Sequence, residues 1–388
     1  MLNLINYTKS NFYKENLEMS VDVTYCLDEW EKYFNERPLS FEEFVKTYKS
    51  YDAIYPHILN KVKQISDYPD KFEYFIQGFI GSGKSTLVYL LLAYKVYLFL
   101  LLKSPKDFYG FSPEAEFYVV LYSPTKESSK FSLSAFLSCL SQIPCFKRIR
   151  TLKDAMETKG ALYTTNVYSS TDVLLFKNGN NVLHVTVASE PDDIIGLNVV
   201  IGFMNELGIA IDRGVAAEQI YNFYNKLSNR IDSRCQGKLS ALIVEKSPND
   251  VDEDPLDGHI YRCTDTRKME ILFQKYWEVF KDKDPEPKKY ANFDTHKCRL
   301  VDDDQFNIDC IQFPTTFNGI NLLEKAKNNP KGFLRDFVGM PVSSIGAASE
   351  EYKAMKKIRE LVHTFNLSFC YKDNKMYIQS QKGEEIVL

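Results

Sequence analysis

Several residue types are scarce or badly placed in this chain, and each shortage excludes something. There are only 2 Trp and 5 His, and the 8 cysteines (Cys26, Cys139, Cys145, Cys235, Cys263, Cys298, Cys310, Cys370) are scattered with no CxxC pair. Scattered thiols in a chain of this size read as reduced and buried, not as a disulfide framework. Without a Cys/His cluster, a zinc site is not expected. A basic excess is missing too: the net charge is −4 and the pI about 5.9. Nothing in the totals announces a nucleic-acid binder, although a local basic strip can sit on an acidic body. The N-terminal MLNLINYTKSNFYKENLEMS lacks the apolar core of a signal peptide. The longest apolar run, LVYLLLAYKVYLFLLL from Leu87 to Leu102, is short for a membrane span and carries Lys95 in its middle. It reads as a buried helix, with no membrane involved.

With 44% apolar and 26% charged residues, the composition is that of a chain that buries a full core. From about residue 70, short apolar runs alternate with longer amphipathic segments, which predicts an α/β fold with a mostly parallel central sheet flanked by helices. Strands are predicted at Phe72–Gln77, Glu116–Tyr122, Val173–Phe176, Val182–Ala188, Val199–Asn205 and Leu239–Glu245. Helices are predicted at Ser85–Lys103, Thr125–Leu140 and Ala217–Asp232. Asn178–Gly179–Asn180 is a hairpin signal, so some antiparallel addition is expected. Before residue 67 the chain reads as an N-terminal helical or lid segment (1–66), with helical stretches at Val23–Phe34 and Ser40–Tyr48. There Ser40 and Glu43 form a capping-box pattern. Residues 67–345 form the main domain, and 346–388 read as a linker, marked by SSIGAAS (343–349), and a short tail.

The chemistry is carried first by FEYFIQ-GFIGSGKST-LVYL, residues 72–90. Gly78, Gly83, Lys84 and Ser85 match G-x-x-x-x-G-K-[ST] between a strand pattern and a helix pattern. Glycines, including Gly81, let successive backbone N–H groups surround phosphate oxygens, and Ser82 and Thr86 complete the cradle. The N-terminus of the following helix adds its positive end. Lys84 is placed to reach the β- and γ-phosphates, and the Ser85 hydroxyl to ligate Mg²⁺. ATP and Mg²⁺ are therefore the expected ligands. Hydrolysis also needs a group to order the metal and one to polarise water. The apolar run Val199–Met204 ends in Asn205–Glu206, where such ATPases usually carry Asp-Glu. Glu206 is the candidate general base, and Asn205 the candidate metal-side residue, able to offer a carbonyl oxygen but no charge. The acidic turn Ser189–Asp193 reads as a solvated turn.

The order of these features resembles the ATPase part of bacteriophage terminase large subunits. ASEPDDIIGLNVVIGFMNELG (188–208), NRIDSRCQGKLSALIVEKSPND (229–250), AEFYVVLYSPTKESS (115–129) and NNPKGFLRDFVGMP (328–341) carry the resemblance, which spans roughly residues 70–345. It implies a P-loop ATPase fold and a motor that drives viral double-stranded DNA into a procapsid. Its partners would be the portal protein and a small terminase subunit, and it would act as a homo-oligomeric ring. The motor would work in the host cytoplasm, docked on the portal, and would be absent from the mature virion. By position, Ser247 with Pro248 matches the coupling motif that senses the γ-phosphate. Arg230 and Arg234 are candidates for the transition-state arginine, in cis or from a neighbouring subunit. The arginine that some members carry inside the phosphate loop is missing here, where Ile80 and Gly81 stand. No nuclease activity is expected from this chain. A helicase-like ATPase, or a regulatory nucleotide-binding protein with weak or no turnover, remain alternatives.

Overall fold

A computed structural model describes residues 23–67, 71–79, 81–123, 126–146, 163–168, 171–178, 181–205, 207, 216–235, 239–247, 254–262, 269–272, 275–280, 289–295, 297–307, 310–340, 368–372, 375–379 and 385–387. The expected first helix is two short ones, Val23–Asp28 and Trp30–Tyr33. Helix α1 (Phe41–Lys46) starts on the predicted capping box: Ser40 Oγ accepts from the Glu43 amide, and Glu43 accepts from the Ser40 amide. Such a cap stabilises a helix start by about 1 kcal/mol. The Ser40 amide, followed by the Ser40 hydroxyl, holds the Glu43 carboxyl below its ordinary pKa. Helix α2 (Pro56–Asp67) follows and buries Ile58, Val62 and Ile65.

Strand β1 (Glu73–Gln77) then leads through the glycine-rich loop into α3 (Lys84–Leu101). Every residue of α3 except Ser85 and Thr86 is buried. This answers the length-and-hydropathy test that α3 alone passes among the described residues: 89% of its apolar window lies inside the protein. Each fully buried Leu or Val there contributes about 1.5–3 kcal/mol, so burial decides the helix's place. Lys95 is taken inside with it, its ammonium 5.3 Å from the centre of the Tyr74 ring.

Beyond α3 come β2 (Phe117–Tyr122), α4 (Lys126–Ser141), β3 (Tyr163–Tyr168), β4 (Thr171–Asn178), β5 (Asn181–Ala188), β6 (Asn198–Met204), α5 (Ala217–Cys235), β7 (Ala241–Lys246), α6 (Pro255–Arg262) and β8 (Met269–Leu272). They form one sheet in the order β3-β4-β5-β2-β6-β7-β1-β8. Pairing is parallel from β5 through to β8 and antiparallel across β3-β4-β5, as the Asn178 turn signal implied. Residues 179 and 180 lie outside the described residues. Strand β7 therefore separates β1 from β6, and all three point their C-terminal ends to the same edge. Helices on both faces explain why β1 and β7 are buried at every position. The protein has an α/β fold with a mostly parallel central sheet and antiparallel additions.

Strands β3 and β8 are not expected from the sequence. TTN inside β3 and the four-residue MEIL give too little apolar periodicity to stand out. A second hydrophobic cluster forms downstream around α7 (Tyr276–Val279), β9 (Tyr290–Asp294), β10 (Arg299–Val301) and β11 (Cys310–Pro314), with Phe293, Phe313, Phe333 and Val338 at its centre. The described parts of the C-terminal tail are three short antiparallel strands, Ser368–Lys372, Lys375–Gln379 and Glu385–Val387, where the sequence suggests only a linker and tail. The described N-terminal helices share the main core, with Phe41, Phe44 and Ile58 packed into it.

At Gly202 helix α5 packs tightly on the sheet. A Cβ there would lie 2.8 Å from Leu227 Cδ2 and 3.0 Å from Leu242 Cδ1. Gly202→Val is expected to destabilise the fold by about 1–3 kcal/mol through overpacking, read as a lower urea midpoint at unchanged m-value.

Candidate nucleotide-binding site

The loop between β1 and α3 needs glycine at two points where φ is positive, Gly81 (φ 86°) and Gly83 (φ 82°). Space also matters at Gly83, where an added Cβ would meet Ile58 and Tyr55 at 3.3 Å, so α2 presses directly on the loop. The α2 residue His57 fixes it further: His57 Nε2 lies 2.8 Å from the Ser82 carbonyl oxygen. A carbonyl can only accept, so Nε2 carries the hydrogen. Burial lowers the His57 pKa, which keeps the ring neutral near pH 7. Phe79 packs its ring on Tyr276 and Phe280, tying the loop to α7.

Within the loop, Ser82 is buried, whereas Gly81, Ser85 and Thr86 are exposed. The Lys84 ammonium donates to the carbonyls of Gly78 (2.8 Å) and Phe79 (2.9 Å), held across the mouth of the loop. Ile80 lies outside the described residues. The Ser85 hydroxyl donates to Glu245 Oε1 at 2.8 Å. Glu245 is on β7, paired with Ile76 at the end of β1, and only 5% exposed. A hydroxyl that donates its one hydrogen to a carboxylate keeps lone pairs for a metal.

Asn205, at the end of β6, donates its amide nitrogen to Ser132 Oγ on α4 at 2.6 Å. Its Oδ1 is buried without a hydrogen-bond partner among the described residues. Ser85, Glu245 and the Asn205 amide oxygen are all hard oxygen groups, which suits Mg²⁺ and not a thiophilic metal. The residues present therefore fit the cation that the loop implies. Glu206 and Pro248 lie outside the described residues. Ser247 is half-buried just beyond β7, at the loop edge of the sheet.

Arg230 and Arg234 are placed elsewhere. Arg230 Nε donates to the Leu197 carbonyl at 2.7 Å, and Arg234 to Asn198 Oδ1 at 2.6 Å. Both contacts are at the start of β6, whereas the phosphate loop follows the ends of the parallel strands. Seven strand residues at about 3.3 Å each separate the two edges by roughly 20 Å. Within this chain the structure does not bring either arginine to the loop. The acidic turn Ser189–Asp193 caps itself, with Asp193 Oδ2 accepting from the Ser189 and Glu190 amides. No cluster of three or more His, Cys, Asp or Glu suited to a metal occurs among the described residues.

The sequence reading also misses a buried polar group beneath the site. Lys246 pairs with Asp254 and, at 2.9 Å, with Asp257, which in turn accepts from Gln77 Nε2 at 2.7 Å. Burial lowers the Lys246 pKa, and Asp257 opposes that shift. The available signal was the charged pair Glu245–Lys246 closing an otherwise apolar strand. Alternation along β7 sends these two side chains to opposite faces.

No family model and no curated protein matches the chain. Among solved structures it is similar to the large terminase ATPase domain of Thermus phage P74-26, with TM-score 0.38 and 8% identity over 68% of this chain and 86% of that one. It is also similar to the large terminase of a second, thermophilic bacteriophage, with TM-score 0.35 and 11% identity over 85% and 93% of the two chains. That second terminase in complex with ATP-gamma-S gives TM-score 0.31 and 10% identity over 85% and 93%.

Removing Asp257 leaves the Gln77 amide without its acceptor and Lys246 with one carboxylate. Asp257→Ala is expected to cost about 1–3 kcal/mol in urea unfolding, the range for a buried donor left unsatisfied.

Proposed function

We propose that this chain is a Mg²⁺-dependent ATPase that moves viral double-stranded DNA into a procapsid. The observation that carries the ATPase reading is the phosphate loop: Gly81 and Gly83 in left-handed conformations, Lys84 across its mouth, and Ser85 at the head of α3 against a buried carboxylate. The packaging reading is supported by the order of motifs along the chain, from the phosphate loop to Asn205–Glu206 and Ser247–Pro248.

On this reading the loop amides and the N-terminus of α3 hold the β- and γ-phosphates, and Lys84 exchanges its loop carbonyls for phosphate oxygens. Ser85, Glu245 and Asn205 would hold Mg²⁺, which would supply positive charge for the phosphates. Glu206 orients and deprotonates the attacking water. Ser247, following directly on the anchored end of β7, senses the γ-phosphate. If Arg230 or Arg234 acts in the transition state, it does so on a neighbouring subunit, because within their own chain both are committed at the far edge. The working assembly is a ring on the portal protein, with the small subunit and DNA as partners, in the host cytoplasm and not in the finished virion. Among the phage proteins to which the chain is similar, one has been solved with ADP and with ATP-gamma-S.

Lys84→Ala is expected to lower ATP hydrolysis about 100-fold or more, as loss of a charge-stabilising donor does. Glu206→Gln is expected to lower kcat by about 10²–10⁴ while ATP still binds. Phosphate release by the parent chain should rise on adding DNA or procapsids. Hydrolysis by Lys84→Ala at the parent rate would refute the site. DNA unwinding without procapsids would favour the helicase alternative, and tight ATP binding without phosphate release the regulatory one.

A further inference from the structure

We propose that Glu245 supplies the negative charge that holds the metal at Ser85, in place of the aspartate that β6 lacks at position 205. The inference rests on the nucleotide-binding reading above and deepens it. Three observations carry it.

The first is the contact itself: the hydroxyl expected to ligate Mg²⁺ donates its hydrogen to Glu245 Oε1 at 2.8 Å. That leaves the Ser85 lone pairs for a cation and puts a carboxylate directly beside it. The second is the residue at the end of β6. Asn205 is uncharged, and its amide nitrogen is committed to Ser132 Oγ at 2.6 Å. It can offer an oxygen to a metal or its water, but not a countercharge. The third is how the cation next to Glu245 in sequence is disposed of. Lys246 is fully buried on the opposite face of β7, where Asp254 and Asp257 neutralise it. Lys246 is therefore committed to the two aspartates and not to Glu245.

Topology explains how the substitution is possible. β7 lies between β1 and β6, and its register places Glu245 opposite Ile76, next to the residue where β1 gives way to the loop. A carboxylate on the neighbouring strand thus reaches the head of α3 directly. One more methylene than aspartate offers suits a strand lying beside the loop strand. Glu245 is a positioning residue here: it would act on the cation through Ser85.

The test compares the affinity of a fluorescent ATP analogue in EDTA and in excess Mg²⁺ for the parent chain, Glu245→Gln and Glu245→Asp. The parent should bind more tightly with Mg²⁺. Glu245→Gln should lose that gain, by about 10-fold or more, the range for losing a group that supports a metal ligand. Its affinity in EDTA should stay within about threefold of the parent, which shows that the loop is still formed. Glu245→Asp, which keeps the charge, should retain a gain clearly above that of Glu245→Gln. A Glu245→Gln chain that keeps the parent's Mg²⁺ gain would overturn the inference. So would equal behaviour of the Gln and Asp variants, because the charge would then not matter. A parent chain that binds no nucleotide in either condition would overturn the nucleotide-binding reading itself.

Discussion

The glycine-rich loop depends on the parallel pairing of β1 between β7 and β8. That pairing fixes where β1 ends, and therefore where the loop must turn and where α3 must begin. A parallel sheet needs helices on both faces, and α3, a run of Leu, Val, Phe and Tyr, is apolar enough to fill that role. The loop is thus clamped between a buried strand and a buried helix. Its described residues are held by packing without any ligand, so on the proposed reading little ordering would oppose phosphate binding.

The same pairing sets the electrostatics. β7 ends with two opposite charges on opposite faces, and each is used. Lys246 is consumed by Asp254 and Asp257 and, through Asp257, is tied to Gln77 at the end of β1. Glu245 remains on the loop side, against Ser85. Buried ion pairs of this kind are costly to break and seldom add net stability. Their effect here is to lock the ends of β1 and β7 together at the residues that precede the phosphate loop and Ser247. Phe79 extends the link to Tyr276 and Phe280, so the second hydrophobic cluster touches the loop as well.

Much of this was legible in the sequence because local signals carry it. The glycines, Lys84 and Ser85 sit at fixed spacing, and the apolar runs of β1, β2, β6 and β7 are long enough to read. The start of α1 followed from Ser40 and Glu43 alone. What escaped was non-local. Glu245 meets Ser85 only because β7 pairs with β1, and His57 meets Ser82 only because α2 folds onto the loop; no spacing along the chain announces either. Arg230 and Arg234 show the reverse case. The helix that carries Arg230 was foreseen and Arg234 falls just past its expected end at Asp232, but which edge of the sheet they reach depends on the direction of that helix against β6. Asn205 was recognised as uncharged, and its tie to Ser132 needed α4 in place.

The most direct measurement is an experimental structure of the chain with Mg²⁺ and ATP-gamma-S. The account predicts the phosphates inside the loop and the Lys84 ammonium moved from the Gly78 and Phe79 carbonyls to phosphate oxygen. It also predicts Mg²⁺ at about 2.1 Å from Ser85 Oγ, with the Glu245 carboxylate in its immediate surroundings. Nucleotide bound away from the loop, or a metal that leaves Ser85 and Glu245 untouched, would contradict it.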